Sequence, residues 1–168
     1  MTVVVYYVAA SADGFIAPPD GSLAWLAPFE GQGEDYGYAE FYASVDAVLL
    51  GRRTYEQCLT FDEWPYASKP YWVFSRNNGH SPRSVLRELQ ARDLRRAWLV
   101  GGGELAGAFQ AEGLISEYII SIIPVILGAG IPLFGSHRSA QALKLIESKT
   151  YPSGVAQLKY TPALSRAT

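Results

Sequence analysis

A chain of 168 residues is the length of one ordinary domain, and eleven Tyr, seven Phe and four Trp are too many for a disordered one. A single cysteine, Cys58, excludes an internal disulfide framework and a Cys-rich zinc module, and His80 and His137 match no metal-ligand spacing, so no metal is expected. The formal net charge of −2 argues against nucleic-acid binding over a broad basic surface, yet allows a small local site for a phosphorylated ligand.

Val3 to Ala9 is a strand whose near-continuous apolar character predicts burial on both faces, as in a parallel sheet. Its apolar start lacks a basic flank, so it reads as a strand rather than a signal peptide. The stretch from Ser11 to Ser22 holds two Asp-Gly pairs and Pro18-Pro19, which exclude a helix; a loop this long is often functional. Trp25 to Pro28 closes it. Glu34 to Ser44 has helical spacing, with Tyr38, Phe41 and Tyr42 on one face, although Gly37 weakens its start. Val45 to Leu50 is a second buried strand, running into Gly51-Arg52-Arg53-Thr54. Pro70 to Ser75 is a third, Ser84 to Arg92 a helix, and Ala97 to Val100 a fourth strand ahead of Gly101-Gly102-Gly103. Glu104 to Glu112 reads as a helix and Ser116 to Ile126 as a long strand. Leu143 to Tyr151 and Val155 to Tyr160 are strands separated only by the turn at Pro152-Ser153-Gly154, so they pair antiparallel. Alternating strands and helices predict an α/β fold with a mostly parallel sheet and an antiparallel C-terminal edge. Nothing divides the chain, giving one domain over residues 1–161 and a frayed tail over 162–168. The longest apolar run, Tyr118 to Leu127, is broken by Ser121 and Pro124 and is too short for a membrane span; the expected compartment is the cytoplasm.

Three strands end in a polar or glycine-rich break: Leu50 into Gly51-Arg52-Arg53-Thr54, Phe74 into Ser75-Arg76, and Val100 into Gly101-Gly102-Gly103. Ligands of open parallel sheets bind beyond the carboxyl ends of the strands, so the three breaks are expected along one edge. Helix-start amides and glycines hold phosphate closely, and Thr and Arg add a hydroxyl and a charge. The combination suggests a dinucleotide carrying an extra phosphate. Each piece has a plainer reading. The glycine triplet lacks the G-x-G-x-x-G spacing of a Rossmann site and could be a tight turn, and Arg52-Arg53 could be a solvated pair.

Four motifs carry a resemblance. They are Ser11-Ala12-Asp13-Gly14-Phe15-Ile16-Ala17, the run Val45-Asp46-Ala47-Val48-Leu49-Leu50-Gly51-Arg52-Arg53-Thr54-Tyr55-Glu56, the run Val100-Gly101-Gly102-Gly103-Glu104-Leu105, and Ile122-Ile123-Pro124-Val125-Ile126-Leu127-Gly128-Ala129-Gly130-Ile131-Pro132-Leu133-Phe134. The set resembles dihydrofolate reductase-like proteins, specifically the group related to the C-terminal reductase domain of bifunctional riboflavin-biosynthesis (deaminase-reductase) proteins. The resemblance implies a three-layer fold and NADPH as cofactor. By motif, Ala9, Asp13, Gly14 and Ile16 would line a mobile loop over the nicotinamide, and Gly51, Arg52, Arg53 and Thr54 would bind phosphates. Ser75 and Arg76 would flank the 2′-phosphate, and Gly101, Gly102, Gly103, Glu104 and Leu105 would cradle the pyrophosphate. It also implies a cis peptide between Gly101 and Gly102.

At the reaction end, a substrate pocket is expected between the first loop and the first helix. Trp25, Tyr38, Phe41 and Tyr42 would wall it for a flat heterocycle, or else belong to the core. Dihydrofolate reductases place a carboxylate on the first helix. Counting back from Gly51 at that family's spacing reaches Asp35, whereas matching on Phe41 reaches Gly37, which carries no acid. Asp35 is thus a candidate proton donor, with a helix-start acid in solvent as the alternative. Ser121 is a second candidate, with a satisfied core hydroxyl as its alternative.

The implied function is NADPH-dependent hydride transfer to a small heterocyclic substrate, as in 5-amino-6-(5-phosphoribosylamino)uracil reductases. The alternatives are a dihydrofolate reductase proper and a nucleotide-binding protein of the same fold without turnover. No deaminase motif of the H-x-E and P-C-x-x-C type is present. The apolar segments Ile119 to Leu127 and Leu133-Phe134, and the frequent dimerisation of relatives, predict a homodimer.

Overall fold

The computed structural model describes residues 1–136 and 138–164; His137 and residues 165–168, which belong to the expected tail, lie outside the described residues. In chain order the elements are β1 (Val3–Ser11), β2 (Phe15–Ala17), a 3-10 helix (Ala24–Phe29), α1 (Tyr38–Ser44), β3 (Ala47–Gly51) and α2 (Arg52–Cys58). Then come β4 (Tyr71–Phe74), α3 (Pro82–Ala91), β5 (Arg96–Gly101), α4 (Gly103–Ala111), β6 (Glu117–Ile123), β7 (Ile131–Pro132), β8 (Leu143–Thr150) and β9 (Ala156–Pro162). The main sheet has the order β4-β3-β5-β1-β6-β9-β8. Its first five strands pair in parallel, and β9 and β8 add on antiparallel. This is the expected α/β architecture.

The sheet is packed on both faces because its central strands are apolar on both. On one face Val4, Tyr6, Leu49 and Leu99 meet Val85 and Leu89 of α3 and Ala106 and Phe109 of α4. On the other, Val5, Val48, Leu50 and Trp98 meet Phe41 of α1 and Cys58 of α2. Burial of one such aliphatic side chain contributes roughly 1.5–3 kcal/mol, so these two clusters are the main source of stability.

Local chemistry explains where the boundaries fall. Helix α1 starts at Tyr38 rather than at Glu34, because Tyr36 and Gly37 sit at positive φ and cannot be helical. Helix α3 starts at Pro82, two residues before the expected Ser84. Proline suits the first helical position, and Ser81 and Ser84 form a reciprocal capping box. Strand β6 stops at Ile123, since Pro124 cannot continue a ladder. Strand β9 runs on to Pro162, which pairs with Leu143, and the Ala163 N–H donates to Ala142, so the first residues of the expected tail are ordered by pairing.

The stretch expected as one long loop is in part a strand. Residues 15–17 pair antiparallel with β7, a pairing that nothing local in the sequence signals. The expected mobile loop is therefore fastened over residues 11–17. The Leu133 N–H donates to Gly14 and the Ala12 N–H to Val125. The Asp13 carboxylate accepts the Ser11 hydroxyl at 2.6 Å and the N–H groups of Leu127 and Gly128 at 3.1 and 2.8 Å. The 131–134 segment is held in turn by Tyr6, whose hydroxyl donates to the Leu133 carbonyl at 2.6 Å. No helix of the described residues is long and apolar enough to cross a membrane.

Candidate active site

Strands β4, β3, β5, β1 and β6 run in parallel, so their carboxyl ends share one edge. Register brings the three predicted breaks together there. Gly51 pairs with Phe74, one residue before Ser75, and Leu50 pairs with Gly101. Helix α2 leaves from Gly51 and helix α4 from Gly102, and the first N–H groups of each helix have no partner within it. The Gly101–Gly102 peptide is cis, as the resemblance implied.

Backbone approaches closely at Gly51, whereas Gly101 is set by its positive φ. A Cβ on Gly51 would stand 3.3 Å from both the Gly101 oxygen and the Gly102 nitrogen. One on Gly102 would stand 3.6 Å from the Thr54 hydroxyl. Above Gly101, at φ +128°, a Cβ would meet nothing within 4 Å. The edge is thus a backbone cradle with open space on its outer side, bordered by a hydroxyl and exposed arginines. Those features fit the phosphates of a dinucleotide.

The side chains of the predicted phosphate set divide. The Arg52 guanidinium is 2.8 Å from Glu56 one turn along α2, and this pairing raises its pKa. Arg53 and Arg76 make no ion pair among the described residues. The exposed Glu104 carboxylate accepts the N–H and the hydroxyl of Ser136, and Leu105 packs against the core. Beside the start of α4 lies a recess of about 590 Å³ lined by Glu104, Pro132, Gly135, Ser136 and Arg138.

Of the expected aromatic wall only Phe41 is buried; Trp25 and Tyr42 are half-buried and Tyr38 is 37% exposed. Phe41 is 7% exposed and stacks on Tyr7 with ring centroids 4.1 Å apart, while Tyr38 and Tyr42 stack on each other and sit edge-on to Trp98. A groove of about 290 Å³ lies instead between α1 and the β6-β9-β8 part of the sheet. It is bordered by Phe41, Tyr7, Ile119 and Gln157 but not by Trp25, Tyr38 or Tyr42. Trp25 sits in the 3-10 helix, and its indole N–H is enclosed without a hydrogen-bond partner among the described residues.

Asp35 stands just before α1. Its carboxylate is exposed and accepts the N–H groups of Gly37 at 2.9 Å and Ala39 at 3.2 Å, at the start of α1. Those two N–H groups hold its pKa below the ordinary aspartate value, and an acid kept ionised is a poor proton donor near neutrality. Ser121 is 8% exposed and lies beside Ala9 in the β1–β6 register. Its oxygen accepts from the Gln157 amide at 3.1 Å, while the same nitrogen donates to the Tyr36 carbonyl at 3.2 Å. Since Ser121 serves Gln157 as acceptor, its own O–H remains able to donate. Tyr7 beside it is pushed up to about 12 by burial, so it stays protonated. Gln157 carries no signal in the sequence, because a lone Gln in a late strand says nothing without its pairing. Among the described residues no group of His, Cys, Asp and Glu could hold a metal.

The RibD C-terminal domain profile matches residues 68–157, a span that includes the Ser75-Arg76 break and the glycine triplet. The chain belongs to the RibD C-terminal domain family. It is 40% identical to the uncharacterized protein YwjB of Bacillus subtilis (strain 168), over 95% of this chain and 97% of that protein. Among solved structures, a protein of Shewanella sp. PV-4 assigned provisionally to riboflavin biosynthesis is 30% identical, with a TM-score of 0.85 over 97% of this chain and 99% of that one. The deaminase/5-amino-6-(5-phosphoribosylamino)uracil reductase of Thermotoga maritima, 16% identical, shares the fold, with a TM-score of 0.75. The match there covers 96% of this RibD-type chain and 57% of the bifunctional one.

Proposed function

We propose that this chain is an NADPH-dependent reductase that passes a hydride to a small heterocyclic substrate, in the manner of 5-amino-6-(5-phosphoribosylamino)uracil reductases, and works as a homodimer in the cytoplasm. The observation that carries the proposal is the meeting of three strand ends at one edge, with Gly51 within 3.3 Å of the Gly101–Gly102 backbone. Bound there, the cofactor would supply the hydride. The backbone of Gly51 to Thr54 and Gly101 to Leu105 would hold its phosphates, and Arg53 and Arg76 would add charge-assisted bonds. Ala9, Ile16 and Ser121 would border the reacting end, with Ser121 as a neutral hydroxyl donor in place of a carboxylic acid.

The dihydrofolate reductase alternative needs a carboxylate directed at the pterin, whereas the exposed Asp35 carboxylate takes one N–H at the start of α1 on each oxygen. That favours a substrate held by neutral donors. The homodimer reading rests on only part of the expected apolar surface. Leu133 and Phe134 pack against the core of their own chain, and Ile119 packs under α1. Ile126 of the expected segment is 79% exposed, and on the edge strand β8 Leu145 and Ile146 are about half exposed, at 50% and 49%.

The test is turnover. Purified protein is supplied with NADPH and, separately, 5-amino-6-(5-phosphoribosylamino)uracil and dihydrofolate, and loss of NADPH absorbance is followed. Oxidation with the ribosylamino-uracil and not with dihydrofolate supports the reading. Preference for dihydrofolate would favour the alternative. Saturable NADPH binding without turnover of either would favour the non-catalytic one.

A further inference from the structure

The loop after β4 is folded by one side chain, Asn78. Its Oδ1 accepts the N–H groups of Ser75 and His80, each at 3.3 Å, and its Nδ2 donates to the Val73 carbonyl. The amide orientation is fixed by its partners, because a carbonyl can only accept and two N–H groups can only donate. His80 returns to the same carbonyl, its Nδ1 3.2 Å away, and lays its ring edge-on to Phe74. Gly79, at φ +68°, permits the reversal. Asn78 thus joins the last turn of β4 to the far end of the loop and leaves Ser75, Arg76 and Asn77 as a short bridge at the carboxyl edge. Ser75 begins one residue after the partner of Gly51, which puts the bridge beside the start of α2.

Charge makes the placement of that bridge matter. Arg52 is already tied to Glu56, so Arg53 and Arg76 are the arginines of this corner without an ion pair among the described residues. An arginine on an unbraced loop loses part of its bond to phosphate in ordering the chain that carries it.

The geometry points to Asn78 as a positioning residue for recognition of the cofactor's 2′-phosphate. It does not touch the ligand; it holds the 75–77 bridge so that the Ser75 hydroxyl and the Arg76 guanidinium meet the phosphate together. The inference rests on the NADPH reading above and goes beyond it, by assigning discrimination between NADPH and NADH to a residue outside the contact set.

The experiment titrates NADPH and NADH by fluorescence against the wild-type chain, Asn78→Ala, Asn78→Ser, Arg76→Ala and the Asn78→Ala/Arg76→Ala double variant. Asn78→Ala is expected to weaken NADPH by about tenfold and NADH by less than about twofold, since only the 2′-phosphate contacts depend on the bridge. Asn78→Ser keeps one short acceptor in the turn and should lose less than Asn78→Ala. The double variant should bind NADPH no more than about twofold more weakly than Arg76→Ala, because two residues acting through one contact are not additive. Parallel losses for both dinucleotides, an unchanged preference in Asn78→Ala, or additive losses in the double variant would overturn the assignment. If the wild-type chain binds neither dinucleotide, the cofactor reading itself falls, and with it this inference. That outcome appears in the wild-type arm alone.

Discussion

A methyl group added at Gly103 tests how α4 is seated. The Cβ of Gly103→Ala would lie 2.3 Å from the Pro132 carbonyl oxygen and 3.2 Å from the Gly135 nitrogen, both of them backbone. Ordinary contact begins near 3.4 Å, so the 132–135 segment must retreat by about 1 Å. It has little freedom to do so. Leu133 is bonded to Tyr6 and Gly14, and a Cβ on Gly135 would itself stand 2.8 Å from Glu104. The overpacking should cost about 3 kcal/mol, the upper end of the usual range, because backbone rather than a flexible side chain must move. Removal of a helical glycine returns roughly 0.5–1 kcal/mol. The net loss of about 2 kcal/mol corresponds to a fall in Tm of about 4–8 °C for a domain of this size. Gly51→Ala is the contrast. Its Cβ meets the 101–102 backbone at 3.3 Å, which a shift of tenths of an ångström relieves, so it should cost less than about 1 kcal/mol. Yet it puts a methyl group inside the proposed phosphate cradle and should weaken NADPH binding by more than about tenfold. Thermal melts and NADPH titrations of both variants read the two effects separately. A Gly103→Ala melt within about 2 °C of wild type would refute the packing argument. Undiminished NADPH binding by Gly51→Ala would refute the cradle.

Further outcomes follow from other parts of the structure. Asp35→Asn should change kcat by less than about fivefold, because the carboxylate serves α1 rather than the reaction; a loss beyond about a hundredfold would make it the proton donor after all. The Asp13 carboxyl is held below the ordinary aspartate value, first by the Ser11 hydroxyl and then by the Gly128 and Leu127 N–H groups. A lowered folded-state pKa gives stability that is present above the unfolded value and lost as pH falls through the folded one. Denaturant midpoints measured across that acidic window should therefore decline less steeply in Asp13→Ala than in wild type, and identical slopes would contradict this. Glu117 binds Arg96 through both oxygens, at 3.0 and 2.9 Å, with side chains only 20% and 24% exposed. Glu117→Gln should lower urea stability by about 2 kcal/mol, between the values for surface and buried pairs, and an effect below about 0.5 kcal/mol would mean the pair is screened as a surface pair is. Light scattering should return about twice the 18.4 kDa chain mass, and a monomeric mass would remove the homodimer.

The parts of the fold that were legible in the sequence are those that local chemistry dictates. The run Ala47 to Leu50 is apolar at every position and ends in glycine, which leaves little choice but a doubly covered strand with a turn after it. The triplet Gly101 to Gly103 and the pair Ser75-Arg76 follow strands in the same way, and a parallel sheet then sets all three side by side. What was not legible depends on partners distant in the chain. Strand β7 is two residues long and exists because Phe15 and Ala17 lie across from it. Phe41 and Tyr42 have the spacing of a helix face whether that face looks at a ligand or at Trp98, and only the packing decides. Asp35 was in view from the start, but its oxygens are claimed by a helix that begins at Tyr38, a boundary set by the positive φ at Tyr36 and Gly37. Nor does anything local to Asn78 show that its amide reaches back to Val73.

The central claim is that the edge formed by Gly51, Ser75 and Gly101 is a site for a dinucleotide with an extra phosphate. It is tested most directly by titrating the wild-type chain with NADPH and with NADH. Saturable binding of NADPH, at least about tenfold tighter than that of NADH, is what charge-assisted contacts to a 2′-phosphate predict. Failure to bind either dinucleotide would contradict the claim and leave the glycines and arginines of that edge as structure alone.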